Sequence, residues 1–483
     1  MPLLLPILLL ATLASPLQAA DRPNIVFILT DDQGYGDLSA HGNPVLRTPN
    51  LDRLRSESVR FEDFHVSPTC APTRSALLTG RHEFKNGVTH TIHERERLTP
   101  KATTFPQLLQ RAGYRTGIFG KWHLGDQPDY QPGRRGFDEV FIHGAGGIGQ
   151  SYPGSCGDTP GNTYFGPWVL HNGTFVKTDA YCTDVFFAQA TRWIEAEASA
   201  KRPFLAWIAT NAPHAPYNAR PEDAALYQGK GLGRDVEHFF GMIHNIDHNV
   251  GKLLARLDTL GIADNTLVVF MNDNGGTAGT RLFNAGMRAQ KGTPFLGGTR
   301  AISLWRWKGK LAPAEVRHLT AHIDVFRTLT ELAGADIPPD LQPQVEGRSL
   351  VPLLTGSAQE WPDRTLFTHV GRWGGANKGA GPDAAKLSQT SVRTQRWHLV
   401  SNLPTPAAKA PAQPLQPAWM LFDLSTDYGE KTDVASRHPD IVKDLASRHD
   451  TWWQQCRPLM VNEDAPIPSQ NSFKSLFHQQ TGK

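Results

Sequence analysis

The stretch NIVFIL at residues 24–29 is a continuous apolar run that ends in the polar segment TDDQG at residues 30–34. Such a run is typical of a strand that is buried on both faces of a parallel sheet. TLVVFM (266–271) and PFLAWIAT (203–210) repeat this pattern, and each is again followed by polar residues. The three runs therefore predict three buried strands that end in polar loops.

Helix-like stretches lie between these strands, for example at 184–198 and 236–261. Strands that alternate with helices predict an α/β fold: a large mixed, mostly parallel sheet sandwiched by helices. In such sheets the loops after the carboxyl ends of the strands form the ligand crevice. We therefore expect the three polar segments to converge.

The composition changes near GRSLVPLLTG (347–356), which ends the helical pattern and is followed by a stretch rich in Gly and Pro. We predict an α/β domain over 21–360 and a smaller C-terminal α+β domain with a short antiparallel sheet over 361–483. Its expected elements are two short strands and an amphipathic helix, at 391–400, 419–424 and 439–455.

Composition and the N-terminus limit the possible partners and the compartment. The 49 Lys and Arg residues nearly balance 46 Asp and Glu residues, so bulk charge predicts neither nucleic-acid nor membrane-surface binding. Residues 1–20 resemble a secretory signal peptide more than a membrane anchor, with cleavage near Ala20. No later segment approaches about 18 uninterrupted apolar residues. We expect an exported protein, periplasmic or secreted, without a membrane span in the mature chain.

Four cysteines stand at positions 70, 156, 182 and 456. An exported chain is expected to pair its cysteines where geometry allows. One option is a bridge between Cys156 and Cys182, which would close a Gly-rich loop and leave Cys456 free.

Carboxylates follow two of the predicted strands. Asp31 and Asp32 come after one strand, and Asp273 and Asn274 come after another. Carboxylates that meet in one crevice repel each other unless a cation lies between them. Oxygen ligands favour Ca²⁺ or Mg²⁺, whereas Zn²⁺ prefers His and Cys. The alternative interpretation, that these residues form turns and helix caps, suits either pair alone better than both together.

Basic residues stand in other predicted loops. Lys121 and His123 lie two residues apart in FGKWHLG, so an extended segment would point both side chains the same way. His214 lies in NAPHAP, where two prolines fix a rigid, non-helical loop, and Lys291 opens KGTPFLGGTR. Taken singly, each of these residues is more often solvated or packed than functional.

The segment SPTCAPTR (67–74) raises a chemical mismatch. Pro72 ahead of SALLTG predicts the first turn of a helix, with Cys70 at its positive end and Arg74 one turn along. Such an end binds anions and lowers the pKa of a thiol, which makes a thiolate nucleophile possible. A soft thiolate, however, matches poorly with a hard cation that is held by oxygen ligands. We expect oxygen to replace the sulfur.

The same segment carries a family resemblance. CAPTR has the form CxPxR, and with SALLTGRHEFKNGV it resembles the first signature of the formylglycine-dependent type I sulfatases, the arylsulfatase-like members of the alkaline phosphatase superfamily. GYRTGIFGKWHLG (113–125) is similar to their second signature. Further segments follow the order of the family: DDQGYGDLSAHG, TPNLDRL, NAPHAPY, MNDNGG and LFDLSTDYGEKTDV.

The resemblance implies a sulfuric ester hydrolase that removes sulfate from a sulfated sugar or an aryl sulfate. It implies that a separate formylglycine-generating enzyme oxidises Cys70 to formylglycine, whose aldehyde hydrates to a diol nucleophile. It also implies a Ca²⁺ ion, in preference to Mg²⁺. The ligands carried over from the family are Asp31, Asp32, Asp273, Asn274 and the modified Cys70.

The remaining roles also come from the resemblance. The groups that stabilise charge on the sulfuryl oxygens are Lys121, His214 and Lys291. Either His214 or Lys291 gives a proton to the leaving alcohol, His123 takes one from the second hydroxyl, and Arg74 anchors the diol and the local backbone. The chain departs from the family at Leu296, where relatives commonly carry Glu, which weakens the assignment of Lys291.

Several points stay open from the sequence. Candidates for a further sulfate ligand are His143, Gln150 and Ser151. The Gly-rich segment 143–175 is either a substrate-shaping loop or an exposed variable loop, and Trp373, Asn377 and Lys378 are possible substrate contacts. The alternatives to a sulfatase are a phosphonate or phosphate ester hydrolase on the same scaffold and, if Cys70 stays unmodified, an inactive protein that binds sulfated glycans.

Overall fold

The computed structural model describes residues 22–152, 154, 157–373, 381–404 and 418–483. The predicted signal peptide, Cys156, Asn377 and Lys378 lie outside these residues. The described part of the chain contains sixteen strands: β1 (Asn24–Thr30), β2 (Val59–Phe61), β3 (Phe64–His65), β4 (Arg115–Lys121), β5 (Glu139–His143), β6 (Trp168–His171), β7 (Thr174–Lys177), β8 (Phe204–Ala209), β9 (Thr266–Asn272), β10 (Ser303–Trp307), β11 (Ala314–Val316), β12 (Thr320–Ala321), β13 (Leu366–His369), β14 (Thr390–Arg393), β15 (Trp397–Ser401) and β16 (Trp419–Asp423).

The same residues contain twelve α-helices. They are α1 (Pro49–Ser56), α2 (Cys70–Thr79), α3 (Phe105–Arg111), α4 (Cys182–Ser199), α5 (Pro221–Ala225), α6 (Arg234–Thr259), α7 (Leu296–Thr299), α8 (Asp324–Leu332), α9 (Val351–Leu354), α10 (Gly381–Ala384), α11 (Pro439–Cys456) and α12 (Ser472–Thr481). The helices predicted at 184–198, 236–261 and 439–455 correspond to α4, α6 and α11. Among the helices of the described residues, none has the length and apolar character needed to cross a bilayer.

Ten strands form one large sheet in the order β11-β2-β10-β9-β1-β8-β4-β5-β6-β7. Its centre is parallel, because β1 pairs in parallel with both β8 and β9, and β4 pairs in parallel with both β8 and β5. Antiparallel strands lie toward both edges, where β10 pairs with β9 and β6 pairs with β5. The mixed, mostly parallel sheet is therefore confirmed.

Alternate residues of β1 enter two different cores. Ile25, Phe27 and Leu29 pack into one hydrophobic cluster with residues of α2, α3 and α8, whereas Val26 and Ile28 pack into another with residues of α1, α4 and α6. Across the strand pair β1 and β8, the rings of Phe27 and Trp207 stack with their centroids 4.3 Å apart. Burial on both faces explains why the strand is a continuous apolar run.

The C-terminal part of the chain contains a four-stranded antiparallel sheet in the order β13-β14-β15-β16. The strand predicted over 391–400 is instead a hairpin, in which β14 and β15 are joined through Thr394, Gln395 and Arg396. The turn residues include neither Gly nor Pro, so no turn signal separates the two strands in the sequence. The domain boundary near residue 360 stays a prediction.

The option of a disulfide between Cys156 and Cys182 is not met. Cys182 begins α4 as a free thiol and is fully buried. Cys456 is also a free, buried thiol, as expected.

Candidate active site

The parallel pairing of β1 and β9 brings two polar segments together. Thr30 lies opposite Asn272, so Asp31 and Asp32 leave the sheet beside Asp273 and Asn274. The backbone amide of Asp273 donates to the Thr30 carbonyl at 3.0 Å, and the Asn274 side-chain amide donates to Asp32 Oδ1 at 2.9 Å. All four side chains are buried. The predicted convergence is therefore found for the segments that follow β1 and β9.

This acidic group is only partly satisfied by protein donors. Asp31 Oδ1 and Asn274 Oδ1 are buried and have no hydrogen-bond partner. Burial, together with the neighbouring carboxylates, raises the pKa of Asp31 above its usual value and that of Asp273 to about 6, against the effect of nearby Lys121 and Arg74. Unpartnered oxygens among buried carboxylates are the donor set that a hard cation prefers. The residues present fit a Ca²⁺ or Mg²⁺ ion.

Cys70 adjoins this oxygen cluster. Its thiol sulfur and one oxygen each of Asp31 and Asp32 lie within 4.8 Å of one another. Cys70 is the first residue of α2, a helix whose residues are all buried, and its side chain is 2% exposed. The position at the start of a helix agrees with the prediction.

The expectation that the helix start lowers the thiol pKa is wrong. Burial raises the pKa of Cys70, and this effect outweighs the opposing influence of Lys121 and Lys291. The carboxylates of Asp31 and Asp273 raise it further. The unmodified side chain is therefore a neutral thiol, which is a weak nucleophile.

Arg74 connects the acidic group to the neighbouring strand. Its Nε and Nη2 donate to Asp273 Oδ2 at 3.0 and 2.7 Å, and its Nη1 donates to the Lys121 carbonyl at 3.2 Å. Arg74 is 2% exposed. It anchors the local backbone, as expected, and fixes the position of Asp273.

Two lysines face the carboxylates. Lys121, at the end of β4, donates to Asp31 Oδ2 at 2.6 Å. Lys291 donates to Asp32 Oδ1, and its Nζ lies 3.9 Å from Cys70 Sγ. Burial opposes the charge on both lysines, but Asp31 beside Lys121 and Asp32 beside Lys291 raise their pKa values above the usual range. Both ammonium groups therefore stay charged at the crevice.

His214 approaches the same carboxylate from the loop after β8. Its Nε2 lies 3.8 Å from Asp32 Oδ2, and its Nδ1 contacts the Ala215 carbonyl at 2.6 Å. Burial lowers the pKa of His214 to about 4, although Asp32 acts in the opposite direction. The imidazole is therefore neutral at pH 7 in the free site.

His123 lies on another wall of the crevice. Its Nε2 contacts the Thr91 carbonyl at 2.8 Å, and its Nδ1 is buried without a hydrogen-bond partner. The expected extended backbone is wrong at this residue, because His123 has φ 60 in the left-handed region. Burial and the adjacent Lys121 hold the pKa of His123 well below its usual value. A neutral imidazole with an unpartnered nitrogen can accept a proton.

The three candidates for a further sulfate ligand have different environments. His143 is fully buried at the end of β5, and its ring stacks on Phe186. Ser151 is exposed. Gln150 is close to the crevice, since a methyl group on Gly147 would lie 2.7 Å from Gln150 Cδ and 2.8 Å from the His214 ring.

The segment 143–175 contributes a residue that the sequence did not single out. Tyr164 is fully buried, and its hydroxyl donates to the His214 carbonyl at 2.6 Å. The Asn211 amide in turn donates to the Tyr164 hydroxyl. The segment thus holds the His214 loop, so it is not simply an exposed variable loop. An aromatic residue in a Gly-rich loop was the available signal.

A second residue missed from the sequence supports the Lys291 loop. Glu430 is fully buried, accepts a hydrogen bond from the Leu296 backbone amide at 2.8 Å, and contacts His398 Nδ1 at 2.7 Å. A carboxylate from a distant part of the chain therefore contacts the backbone at Leu296. Trp373, proposed as a substrate contact, is instead 2% exposed and packs on Phe84 and Trp453.

Comparisons with known proteins agree with this geometry. The Sulfatase family model matches residues 23–335. The chain is 34% identical to N-acetylgalactosamine-6-sulfatase of Canis lupus familiaris over 391 residues, which cover 75% of this chain and 72% of that protein. It is 29% identical to arylsulfatase J of Mus musculus over 469 residues, which cover 88% and 75% of the two chains.

A solved structure shares the fold over nearly the whole chain. The structure of Ps i-CgsB in complex with k-i-k-neocarrahexaose matches with a TM-score of 0.77 and 26% identity, and the match covers 95% of this chain and 97% of that chain. The site geometry, the family model and these relatives lead to one conclusion: the chain belongs to the sulfatase family, as a type I sulfatase of the alkaline phosphatase superfamily that hydrolyses sulfate esters.

Proposed function

We propose that this protein removes sulfate from a sulfated sugar and that residue 70, after oxidation of Cys70 to formylglycine, is the nucleophile. The observation that carries the proposal is the position of Cys70. Its sulfur lies 3.9 Å from the Lys291 ammonium and adjoins the carboxylates of Asp31 and Asp32. A nucleophile here would attack a group held between buried positive and negative charges.

Formylglycine resolves the mismatch between sulfur and a hard cation. When it is present, its hydrated aldehyde supplies an oxygen nucleophile and allows sulfate to leave as the aldehyde re-forms. The raised pKa of the Cys70 thiol supports this assignment, because a neutral buried thiol is poorly suited to attack sulfur. A formylglycine-generating enzyme would make the modification.

Ca²⁺ is the proposed ion, with Mg²⁺ the less favoured choice. Asp31, Asp32, Asp273 and Asn274 would hold it together with the modified residue 70. Several carboxylate and amide oxygens suit the larger, more flexible coordination shell of Ca²⁺, whereas Mg²⁺ usually keeps several waters. When bound, the ion supplies positive charge against the sulfate oxygens.

Charge balance supports binding of an anionic ester. The carboxylates of Asp31, Asp32 and Asp273 are buried within the site. The cations that face them are equal in number: the buried Arg74 and Lys121 and the partly buried Lys291. A divalent ion added to this neutral set gives the crevice a net positive charge, which attracts a sulfate ester. Lys121, Lys291 and His214 would bind the sulfate oxygens.

Two histidines would move protons. His214 has a pKa of about 4 in the free site because of burial, and an arriving sulfate anion moves that pKa upward, toward the range of a general acid for the leaving alcohol. Lys291 is the alternative donor. His123, neutral and with Nδ1 unpartnered, would accept the proton of the second hydroxyl of residue 70.

The sugar substrate is supported by the relatives. One is an N-acetylgalactosamine-6-sulfatase and another is a protein solved with k-i-k-neocarrahexaose. Gln150, beside the His214 ring, is the favoured further sulfate ligand. Export to the periplasm or the medium, with cleavage near Ala20, completes the proposal, and N-terminal sequencing of the mature protein tests it.

The central experiment has two readouts. Mass spectrometry of the peptide that contains Cys70 is expected to show replacement of the thiol by an aldehyde or its hydrate. Purified protein is then assayed for release of sulfate from 4-nitrophenyl sulfate and of phosphate from 4-nitrophenyl phosphate, with a Cys70→Ala variant as control. We expect sulfate release that Cys70→Ala abolishes.

Other results would overturn the proposal. Faster release of phosphate than of sulfate would identify a phosphate ester hydrolase on the same scaffold. An unmodified thiol in fully active protein would exclude the formylglycine mechanism. Binding of a sulfated sugar without hydrolysis by modified protein would leave a glycan-binding protein.

A further inference from the structure

One buried arginine holds the backbone of a short loop after β13. The buried Arg95 donates from Nη2 to the Gly371 carbonyl at 2.7 Å and from Nη1 to the Trp373 carbonyl at 2.9 Å. The residue between these two carbonyls is Arg372. One guanidinium therefore holds the backbone on both sides of Arg372.

Arg95 is itself firmly held. It is 1% exposed, its Nε donates to Glu463 Oε1 at 3.1 Å, and its guanidinium lies 4.5 Å from the centre of the Trp373 ring. Gly371 has φ 71, and a methyl group there would lie 1.8 Å from the Thr89 carbonyl oxygen. Burying a charged side chain is unfavourable unless its donors are satisfied. The donors of the buried Arg95 are satisfied by Glu463 and by the backbone of this loop, so the fold fixes the loop in place.

The loop directs Arg372 toward the crevice. Arg372 Nη1 lies 3.9 Å from the position of a methyl group on Gly292, the residue that follows Lys291. The Gly292 amide in turn donates to the Pro68 carbonyl at 2.9 Å, two residues before Cys70. Arg372 therefore borders the wall that carries Lys291 and leads to the nucleophile.

The opposite wall is also close to Arg372. Burial holds the pKa of His90 well below its usual value, with Arg95 and Arg372 acting in the same direction, so the Arg372 charge lies near the His90 ring. The next residue, Thr91, contacts His123 through its carbonyl. Arg372 thus lies at the mouth of the crevice, between the His123 wall and the Lys291 wall.

The Arg372 side chain is exposed, and within the described ranges it forms no ion pair with a carboxylate. Guanidinium groups pair with carboxylate or sulfate oxygens through two parallel hydrogen bonds. A positive, exposed group whose backbone the fold holds beside the site matches an anionic ligand, because the loop backbone loses little conformational freedom on binding.

We propose that Arg372 binds a second anionic group of the substrate, either a carboxylate or a second sulfate, close to the scissile sulfate. This assignment rests on the proposed function and narrows the substrate class to sugars with two anionic groups. Arg95 is a positioning residue that acts through the backbone of Gly371 and Trp373. Arg372 determines specificity and takes no part in the chemical step.

Matched pairs of substrates test the assignment. One pair is a monosulfated disaccharide that contains a hexuronic acid and the same disaccharide with its carboxyl reduced to an alcohol. The other is a disulfated galactose disaccharide and its monosulfated counterpart. The variants are Arg372→Ala, Arg372→Lys and Arg134→Ala. Arg134 is an exposed arginine before the amino-terminal end of β5, whereas the site lies at the carboxyl ends of the strands.

We expect wild-type protein to prefer the more anionic member of at least one pair by about 10- to 100-fold in kcat/KM, the effect of a charged hydrogen bond. Preference in the first pair assigns a carboxylate, and preference in the second assigns a sulfate. Arg372→Ala should remove the preference through KM, Arg372→Lys should retain part of it, and Arg134→Ala should keep it. Added salt should weaken the wild-type preference, since the contact is exposed.

Two outcomes would overturn the assignment: equal loss of kcat/KM on both members of each pair in Arg372→Ala, or no preference in the wild type. Absence of sulfate release by the wild type from every substrate would overturn the proposed function and, with it, this assignment. Sulfate release without preference would overturn the second anion site alone.

Discussion

Two buried groups of charged side chains in this protein differ in whether hydrogen-bond donors satisfy all of their oxygens. Both oxygens of Asp63 have donors: Arg393 Nη2 lies 2.8 Å from each oxygen, and His65, Gln395 and Tyr428 complete the set. Burial opposes ionisation of Asp63, but Arg393 and His65 bring its pKa below its usual value. At the candidate active site, Asp31 Oδ1 and Asn274 Oδ1 have no donor, and the pKa of Asp31 is raised.

The difference distinguishes a network that stabilises the fold from a network that is suited to bind a ligand. A satisfied buried network stabilises one conformation, whereas a network with unpartnered buried oxygens is less stable and gains stability when a ligand satisfies them. The Asp63 network joins the β2–β3 region to β14 and holds two distant parts of the chain together. The Asp31 network has oxygens without donors, which suit a cation. Substitutions in the first should affect stability, and those in the second should affect turnover.

The largest expected effect is on turnover. Cys70→Ala should lower kcat for sulfate release by about 10⁴-fold or more, since it removes the proposed nucleophile. Cys182→Ala is a matched control, because Cys182 is also a buried free cysteine that begins a helix. Initial rates with 4-nitrophenyl sulfate measure both variants. Similar losses in the two variants would show that buried thiols matter for packing alone.

The next effect is on stability. Asp63→Asn should lower the free energy of unfolding by about 3–5 kcal/mol, because it leaves the buried Arg393 charge without its partner. Asp444→Asn removes an exposed ion pair with Arg448 and should have no measurable effect. Urea denaturation measures both. A loss of turnover in folded Asp63→Asn at low temperature would contradict the separation of the two networks.

Metal removal should separate the networks further. Ca²⁺ at 100 times its dissociation constant should stabilise protein treated with EDTA by about 2.7 kcal/mol, as expected for a ligand that binds the folded state alone. Asp31→Asn should abolish this shift. Asp63→Asn should show the same shift, although its free energy of unfolding without Ca²⁺ is lower than that of the wild type. Calorimetry with Ca²⁺ and then Mg²⁺ measures the shifts. Equal stabilisation of Asp31→Asn and wild type would place the ion elsewhere.

The last expected effect is a pH dependence within the Asp63 network, with a small change for each pH unit. Burial lowers the pKa of His65 from 6.5 to about 4. As the pH falls through this window the unfolded chain takes up a proton that the folded chain does not, so stability falls, with a slope that approaches about 1.4 kcal/mol per pH unit. His65→Gln should reduce the slope by this amount. Urea denaturation between pH 7 and pH 4 measures it, and an unchanged slope would contradict the assignment.

The sequence was most informative where structure is local. An apolar run that ends in carboxylates predicted both the strand β1 and the placement of Asp31 and Asp32, since parallel strands end at one edge of a sheet. The start of α2 at Cys70 followed from Pro72 for the same kind of reason.

Contacts between distant residues could not be predicted in this way. Arg393 and Asp63 are 330 residues apart, and Arg95 and Gly371 are 276 residues apart. Each pair depends on how the C-terminal sheet packs, and no local pattern encodes that. The prediction that the pKa of the Cys70 thiol is lowered was wrong for a related reason. The start of the helix is visible in the sequence, whereas the complete burial of the helix is not.

The burial of Cys70 also sets the order of events in the life of the protein. The proposed oxidation requires an enzyme to reach this residue, and a side chain 2% exposed on a fully buried helix is out of reach in the folded protein. If Cys70 is modified as proposed, the modification would therefore fall between synthesis of the segment and its packing under the central sheet. A host that folds the chain faster than it oxidises it would accumulate well-folded protein without activity.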